Sequence, residues 1–287
     1  MRVGLVGNRR YRPLADLLHR LDAEAPKLGV DLIYEPQLAD LLEETSGTPL
    51  QDVPQLDIIL SLGGDGTLLR AARIGCQRGI PVLGINLGRL GFLAGAGPDQ
   101  AEDALRRLVR GQYTVERRLA LTARIGDEGP QAIAVNDVVV HKGGVARVIR
   151  LSVAVDGEQV GTYSADGIII ATPTGSTAYS MSAGGPIVVP SVDAVVITAI
   201  SPHSLAVRPL VVPASATIAV RVLDPVPAPD ELLVSIDGQA TAHLMPRQPV
   251  TITRATHSVL LAQISDESFF LRLGRKLAWG DLGGRSG

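Results

Sequence analysis

The feature that most constrains this chain is a change of hydrophobic period near residue 112. Before it, short apolar runs alternate with helix-patterned segments. Residues 2–7 read as a buried strand. Leu14, Leu17, Leu18, Leu21 and Leu28 then share one helix face, with Pro13 at the opening and Gly29 just past the end. Residues 30–34, 56–62 and 81–85 read as further strands, and 67–78 and 99–110 as helices. Strands separated by helices predict a parallel, doubly wound, Rossmann-like α/β sheet. After residue 112 the helical period disappears. Leu119, Leu121, Ala123 and Ile125 alternate with Ala120, Thr122 and Arg124; Leu151, Val153 and Val155 do the same and run into Asp156-Gly157, a hairpin signal. Short β-rich runs follow at 195–200, 217–222, 232–236, 250–253 and 259–264, with a second turn signal at Asp237-Gly238. This half reads as a mostly β sandwich.

Composition narrows the function. At roughly 150 residues per domain, 287 residues suggest two domains. Hydrophobic residues at 46% and charged residues at 20% exclude a disordered or collagen-like chain. The 27 Lys+Arg against 29 Asp+Glu give a net charge of -2, which does not suit a nucleic-acid partner, and 3% aromatics leave little for base stacking. The single Cys76 excludes a disulfide framework and a Cys-rich zinc site. The histidines at 19, 141, 203, 243 and 257 show no metal-ligand spacing, and no GxSxG elbow is present. The apolar run at 3–7 is too short for a signal-peptide core, and no stretch reaches the roughly 20 apolar residues of a membrane span. The expectation is a cytoplasmic protein with no membrane partner.

The chemistry concentrates in three segments. Gly63-Gly64-Asp65-Gly66-Thr67 lies between a strand and a helix start. Open α/β sheets bind ligands there, and glycines admit a phosphate to free helix N–H groups. An Asp in such a loop makes sense as a base or through a bridging metal; read blandly, it caps the helix. Asn136-Asp137 interrupts an apolar strand with groups that suit a base edge or a ribose diol, or form a turn or bulge. The third segment runs from Ser164-Ala165-Asp166-Gly167 through an apolar strand into Thr172-Pro173-Thr174-Gly175-Ser176-Thr177-Ala178-Tyr179-Ser180 and on to Gly184-Gly185-Pro186. Dense hydroxyls at a helix start suit a nucleotide pocket or a Ser-rich surface loop.

Together, and in this order, the three segments resemble the NAD kinase family, with Ile236-Asp237-Gly238-Gln239 as a further match. The Gly-Gly-Asp-Gly loop is shared with lipid kinases; the Thr-Pro-Thr-Gly-Ser-Thr-Ala-Tyr stretch is far more specific. The resemblance runs from Val3 to about Leu273. It implies transfer of a phosphoryl group from ATP or polyphosphate to the adenosine 2′-hydroxyl of NAD, giving NADP. It also implies a divalent metal (Mg or Mn) and a homodimer or homotetramer. It implies an N-terminal α/β domain (1–111), a C-terminal β-sandwich domain (112–265) and a last segment (266–287) returning to the first domain. By the same resemblance Asp65 is the base, with Gly63, Gly64, Gly66, Thr67 and Arg70 beside it. Asn136, Asp137, Arg147, Ser164, Asp166, Thr174, Thr177, Ala178, Tyr179, Ser180, Ser182 and Gln239 bind the nucleotides. Ser164 departs from the family pattern, where some members carry Arg. Two alternatives stay open at this point: a lipid kinase sharing the glycine loop, and a non-catalytic dinucleotide sensor. The sequence names no metal-coordinating residue. It also predicts a surface loop at Pro225, Pro227 and Pro229 and a disordered tail from Asp281.

Overall fold

The structure, a computed structural model, describes residues 1–11, 14–42, 46–88, 91–93, 95–143, 148–223, 232–245, 247–265 and 267–279. Pro13, Arg147, the three loop prolines and the expected tail lie outside the described residues. The chain forms two compact units, Met1–Arg117 with Val259–Gly287, and Arg118–Ser258.

The first unit is built on β1 (Arg2–Gly7), β2 (Asp31–Tyr34), β3 (Ile58–Gly63), β4 (Val82–Asn86), β5 (Thr114–Arg118) and, from the far end of the chain, the strand Val259–Gln263. The sheet order is β2-β1-β3-β4, then Val259–Gln263, then β5. β1 pairs in parallel with both β2 and β3, and β4 pairs in parallel with β3 and with Val259–Gln263. Helices α1 (Leu14–Glu24) and α4 (Ala101–Val109) bury their leucines in one core with Val3, Leu5, Ile58 and Leu60. Each fully buried leucine contributes roughly 1.5–3 kcal/mol. α3 (Asp65–Arg78) packs on the other face, where Gly75 lets it approach Val82. The short α2 (Pro36–Ala39) follows β2.

The sequence reading placed 259–264 in the β half; the structure puts that strand in the first sheet. A short apolar run carries no mark of its pairing partner, and the choice is made by an open slot beside β4. The predicted helix 99–110 also begins as a 3-10 turn, Pro98–Gln100, before α4.

In the second unit every recorded strand pairing is antiparallel. Its strands are β6 (Leu121–Ile125), β7 (Gln131–Ala134), β8 (Asp137–Lys142), β9 (Ile149–Val155), β10 (Glu158–Ala165), β11 (Gly167–Ala171), β12 (Ala194–Ile200), β13 (Leu210–Pro213), β14 (Ile218–Val222), β15 (Leu232–Ile236), β16 (Gln239–His243) and β17 (Pro249–Arg254). Val259–Gln263 is therefore β18. One sheet runs β10-β9-β14-β17-β6-β7 and the other β13-β12-β11-β8-β15-β16. Leu121, Leu151, Val153, Val220 and Ile252 from the first meet Val138, Val140, Ile168, Ile170 and Val234 from the second in one sandwich core. Asp156-Gly157 turns β9 into β10 with both residues at positive φ (51° and 84°), as the hairpin signal predicted. The continuous apolar run of β11 has a reason. Ile168 and Ile170 face the sandwich core, while Ile169 and Ala171 are buried on the outer face with Val139 and Val196.

Candidate active site

In the first unit the carboxyl ends of β1, β3 and β4 carry the polar residues. β1 continues to β2 on one side and β3 to β4 on the other. The chain direction therefore splits between β1 and β3, and such a split opens a crevice above the strand ends. Gly63 closes β3, Gly64 caps α3 in an extended conformation, and Asp65 is the first residue of the helix. Gly63 has no room for a side chain, because a Cβ there would strike the Thr67 hydroxyl; Gly66 faces open space. Asn86 ends β4 directly beside Gly63 and accepts a hydrogen bond from the Gly88 N–H at 3.1 Å.

The Asp65 carboxylate is held by one contact. Its Oδ2 accepts from the Phe92 N–H at 2.8 Å. Its Oδ1 is sealed from solvent and has no hydrogen-bond partner. Gly91 lies directly against the carboxylate, so that any Cβ at 91 would collide with it. A buried carboxylate oxygen without a partner costs about 1–3 kcal/mol or more, so it marks a position held for something other than stability.

Arg70, one turn and a half further along α3, forks onto Glu35. Its two terminal nitrogens donate to the Glu35 oxygens at 2.5 and 2.7 Å and to the Gly7 carbonyl at 2.7 Å. Glu35 is buried, and its Oε1 also accepts from the Gly7 N–H at 2.9 Å. The sequence reading found Arg70 and missed Glu35, which sits just past β2 and has no motif around it. It also missed Gly91 and Phe92, which reach Asp65 only through the fold.

In the second unit antiparallel pairing gathers three remote segments at one end of a sheet. β8 starts at Asp137, β11 ends at Ala171 opposite it, and β15 ends at Ile236 opposite Val138. The Asp237 carboxylate then accepts from three successive N–H groups: Val135 (3.0 and 3.1 Å), Asn136 (2.7 Å) and Asp137 (3.2 Å). Asp237 adopts φ 50° in the turn into β16, and its own N–H returns a 3.0 Å bond to the Asp137 carbonyl. Asp137 is 3% exposed, and burial together with the facing charge of Asp237 pushes its carboxyl up to about 7. The Asn136 side-chain oxygen is buried without a partner.

The hydroxyl-rich turn after β11 is wired to the same place. The Thr172 hydroxyl donates to Val135 O (2.7 Å) and accepts from Gly175 N (3.0 Å), while Thr172 N donates to Asn136 O (2.8 Å). A Cβ at Gly175 would strike the Asn136 carbonyl, so only glycine fits. The Ser176 hydroxyl donates to Pro173 O at 2.7 Å, and Thr177 donates to Thr174 O at 3.2 Å. Thr174 also accepts from Arg118 at 3.4 Å. Ser180, expected among the ligand contacts, is fully buried with its hydroxyl on Thr198 at 3.0 Å. Tyr179 in α5 (Tyr179–Ser182) is exposed, as are Ser182 and Gln239, while Ala178 is half-buried. The hydroxyls at 172, 176 and 180 thus hold the turn and its neighbouring strand together.

Ser164 and Asp166 lie at the opposite end of these strands. Asp166 precedes β11 and pairs with Lys142, the last residue of β8, at 2.6 Å. Five strand residues separate the two ends, about 17 Å at 3.4 Å per residue. Ser164 is exposed on β10, and its carbonyl accepts from His203 N at 2.9 Å. Among the described residues no three His, Cys, Asp or Glu side chains are placed to hold a metal ion.

Comparison with known proteins decides the family. The family model for the ATP-NAD kinase N-terminal domain matches residues 4–113, and that for the ATP-NAD kinase C-terminal domain matches 135–264. The chain belongs to the NAD kinase family. It is 48% identical to the NAD kinase of Gemmatimonas aurantiaca over 291 aligned positions, covering 100% of this chain and 99% of that one. It is 42% identical to the NAD kinase of Heliobacterium modesticaldum over 94% of this chain and 93% of the other. Among solved structures, an NAD kinase from Archaeoglobus fulgidus in complex with ATP aligns with a TM-score of 0.73 at 27% identity, over 97% of this chain and 99% of that one. Yeast NADH kinase complexed with NADH shares the fold at a TM-score of 0.89 and 24% identity, over 100% of this chain and 90% of the other. Both domain models of the NAD kinase family are thus present in order. No comparison supports a lipid kinase. Among the described residues no helix is long and apolar enough to cross a membrane.

Proposed function

We propose that this chain is an NAD kinase, transferring the terminal phosphoryl group of ATP to the adenosine 2′-hydroxyl of NAD and releasing NADP and ADP. The observation that carries the reading is the half-satisfied Asp65 carboxylate in a glycine loop at the strand-end crevice, in a chain of this family. A ribose hydroxyl is a poor nucleophile, and a carboxylate that accepts its proton contributes about 10²–10⁴ in rate. The Asp65 carboxylate takes that proton, and the Phe92 N–H holds it in place. The ribose 2′-oxygen then attacks the γ-phosphorus, and the bond from that phosphorus to the β–γ bridging oxygen breaks, with ADP as the leaving group. Asn136 and Asp137 bind the dinucleotide. The unpartnered Asn136 oxygen accepts from a ligand donor. Asp137, with its carboxyl titrating at about 7, both accepts and donates near neutrality. Arg70, ion-paired to Glu35, braces α3 behind the glycine loop. Asp166, paired with Lys142, serves a separate part of the nucleotide.

A divalent metal fits this chain as a companion of the donor's phosphates rather than in a protein cage. The described residues offer no three-ligand cluster, and Mg²⁺ commonly binds through waters, substrate phosphates and one or two carboxylates. It would be held on the phosphates against the loop of residues 63–67, where it neutralises charge on the transferring group. Polyphosphate as an alternative donor, a cytoplasmic location and a homodimeric or homotetrameric state complete the reading. The test is NADP production by purified protein with Mg²⁺ and NAD, given ATP or polyphosphate. NADP from ATP is expected. No NADP from either donor would leave a dinucleotide sensor as the better reading.

A further inference from the structure

The C-terminal helix α6 (Phe269–Leu277) presents an unusual interface. Ser268 caps it, accepting from Leu271 N at 3.2 Å. Only two of its nine residues are buried, and one of them is an arginine, Arg272, at 4% exposure beside Leu273. Phe270 and Leu271 face outward. A helix that needed only to dock would bury more of its apolar residues and fewer cations, because desolvating a guanidinium costs several kcal/mol unless its partners compensate.

The partners of Arg272 show what it does. Its NH1 donates to the Phe92 carbonyl at 2.7 Å, across 180 positions of sequence. Its NH2 donates to the Glu267 carbonyl at 3.4 Å, and its Nε stands 3.8 Å from the Glu267 carboxylate without a hydrogen bond of its own. Arg275 draws the same Glu267 carboxylate away at 2.6 Å. The Lys276 ammonium lies over the Phe92 ring, 5.2 Å from its centroid. Phe92 is therefore gripped at three points: by its ring, by its carbonyl, and by its N–H, which donates to Asp65. The Phe92 N–H lies in the peptide that joins it to Gly91 and the carbonyl in the next one, so the two are linked through the Phe92 Cα. With the carbonyl and the ring both held from α6, the residue as a whole cannot swing away, and its N–H stays on Asp65.

We infer that Arg272 is a positioning residue for phosphoryl transfer: by anchoring Phe92 at its carbonyl it keeps the Phe92 N–H on Asp65 and so fixes the orientation of that carboxylate. The last helix of the chain then belongs to the catalytic apparatus although it carries no group that touches substrate. This rests on the reading of Asp65 as the base.

The experiment compares Arg272→Gln and Arg272→Lys with the parent chain, with Asp65→Asn as the reference, each checked by thermal melt. A loosened carboxylate should lower kcat about 10–100-fold in Arg272→Gln, while KM for NAD and for ATP changes less than about threefold, because ground-state binding does not depend on the base. Lysine can reach a single carbonyl, so Arg272→Lys should recover most of kcat. A structural role would lower the melting temperature in both variants without splitting kcat from KM. If Arg272→Gln does not fold, Lys276→Ala reads the same grip from the ring side, with a several-fold fall in kcat expected. Normal kcat in folded Arg272→Gln, or in Lys276→Ala where only that variant folds, would overturn the inference while leaving Asp65 as base. Normal kcat in Asp65→Asn would remove the base reading itself.

Discussion

In the first unit the Asp65 carboxylate accepts one N–H and leaves an oxygen buried and empty; in the second the Asp237 carboxylate accepts from three successive N–H groups. Around Asp65 the neighbours are glycines and one backbone peptide. Around Asp237 they are the backbone amides of residues 135–137, beside a turn whose Thr172 and Ser176 hydroxyls bond backbone carbonyls. Both sites place an acidic residue among backbone amides, yet they do opposite things with it. A saturated carboxylate stabilises and shapes a cradle, and its reactivity is spent. A half-satisfied one costs stability and keeps a lone pair for chemistry. On the proposed reading, the accounting of hydrogen bonds, more than the presence of carboxylates, separates the part that reacts from the part that recognises.

The comparison breaks most sharply at Asp65. Asp65→Asn keeps the size and the Phe92 contact, but removes the base. We expect kcat to fall by about 10²–10⁴, roughly 3–5 kcal/mol in the barrier. The NAD dissociation constant should move less than about tenfold and the melting temperature little. A folded variant with near-normal kcat would leave Asp65 only a structural acceptor for the Phe92 N–H.

Asp237→Ala should do the reverse. It strips the acceptor from three amides, two of them entering a buried strand, at about 2 kcal/mol after allowing for partial exposure. The melting temperature should drop by about 4–8 °C, with KM for NAD raised more than KM for ATP and kcat within a few-fold. A large kcat loss without a change in stability would place Asp237 in the chemistry and erase the contrast.

The contrast also sharpens through pH. The folded state keeps the Asp137 proton up to about pH 7, whereas the unfolded chain releases it near the ordinary 3.8. Folding therefore takes up a proton between those limits. This contribution is fully present below about pH 4 and is lost as pH rises through 7. Melting curves at pH 5 and pH 8 should show a steeper loss in the parent chain than in Asp137→Asn. Equal slopes would mean that Asp137 is ionised throughout.

Much of this was legible in residue order. The period change near 112 announced two kinds of sheet, although β5 (Thr114–Arg118), just after it, joins the first sheet, and β1 and β15 fall on their predicted residues. The glycine loop was placed at a strand end and helix start, where it lies. The Asn136-Asp137 break in an apolar run marked a polar pair of which the fold buries Asp137 and the Asn136 side-chain oxygen. What failed has one character. The strand at 259–263 was read correctly as a strand and assigned to the wrong sheet. Ser180 was read as a ligand hydroxyl, but is turned inward onto Thr198. Glu35 was not singled out, because nothing next to it in sequence announces Arg70.

The sequence by itself determined the local things: the period of each segment, the turns at Asp156-Gly157 and Asp237-Gly238, and the residue types available at each loop. These follow from steric and hydrophobic preferences acting over a few residues, so a few residues suffice to read them. Only the tertiary structure decided that Asp237 would complete the amides at 135–137, that β18 would fill the slot beside β4, and that Arg272 would hold Phe92 against Asp65. Those contacts span roughly 100 to 180 positions. They form because the packing of two separate cores brings the segments together, and a hydrogen bond leaves no periodic trace in either segment that makes it.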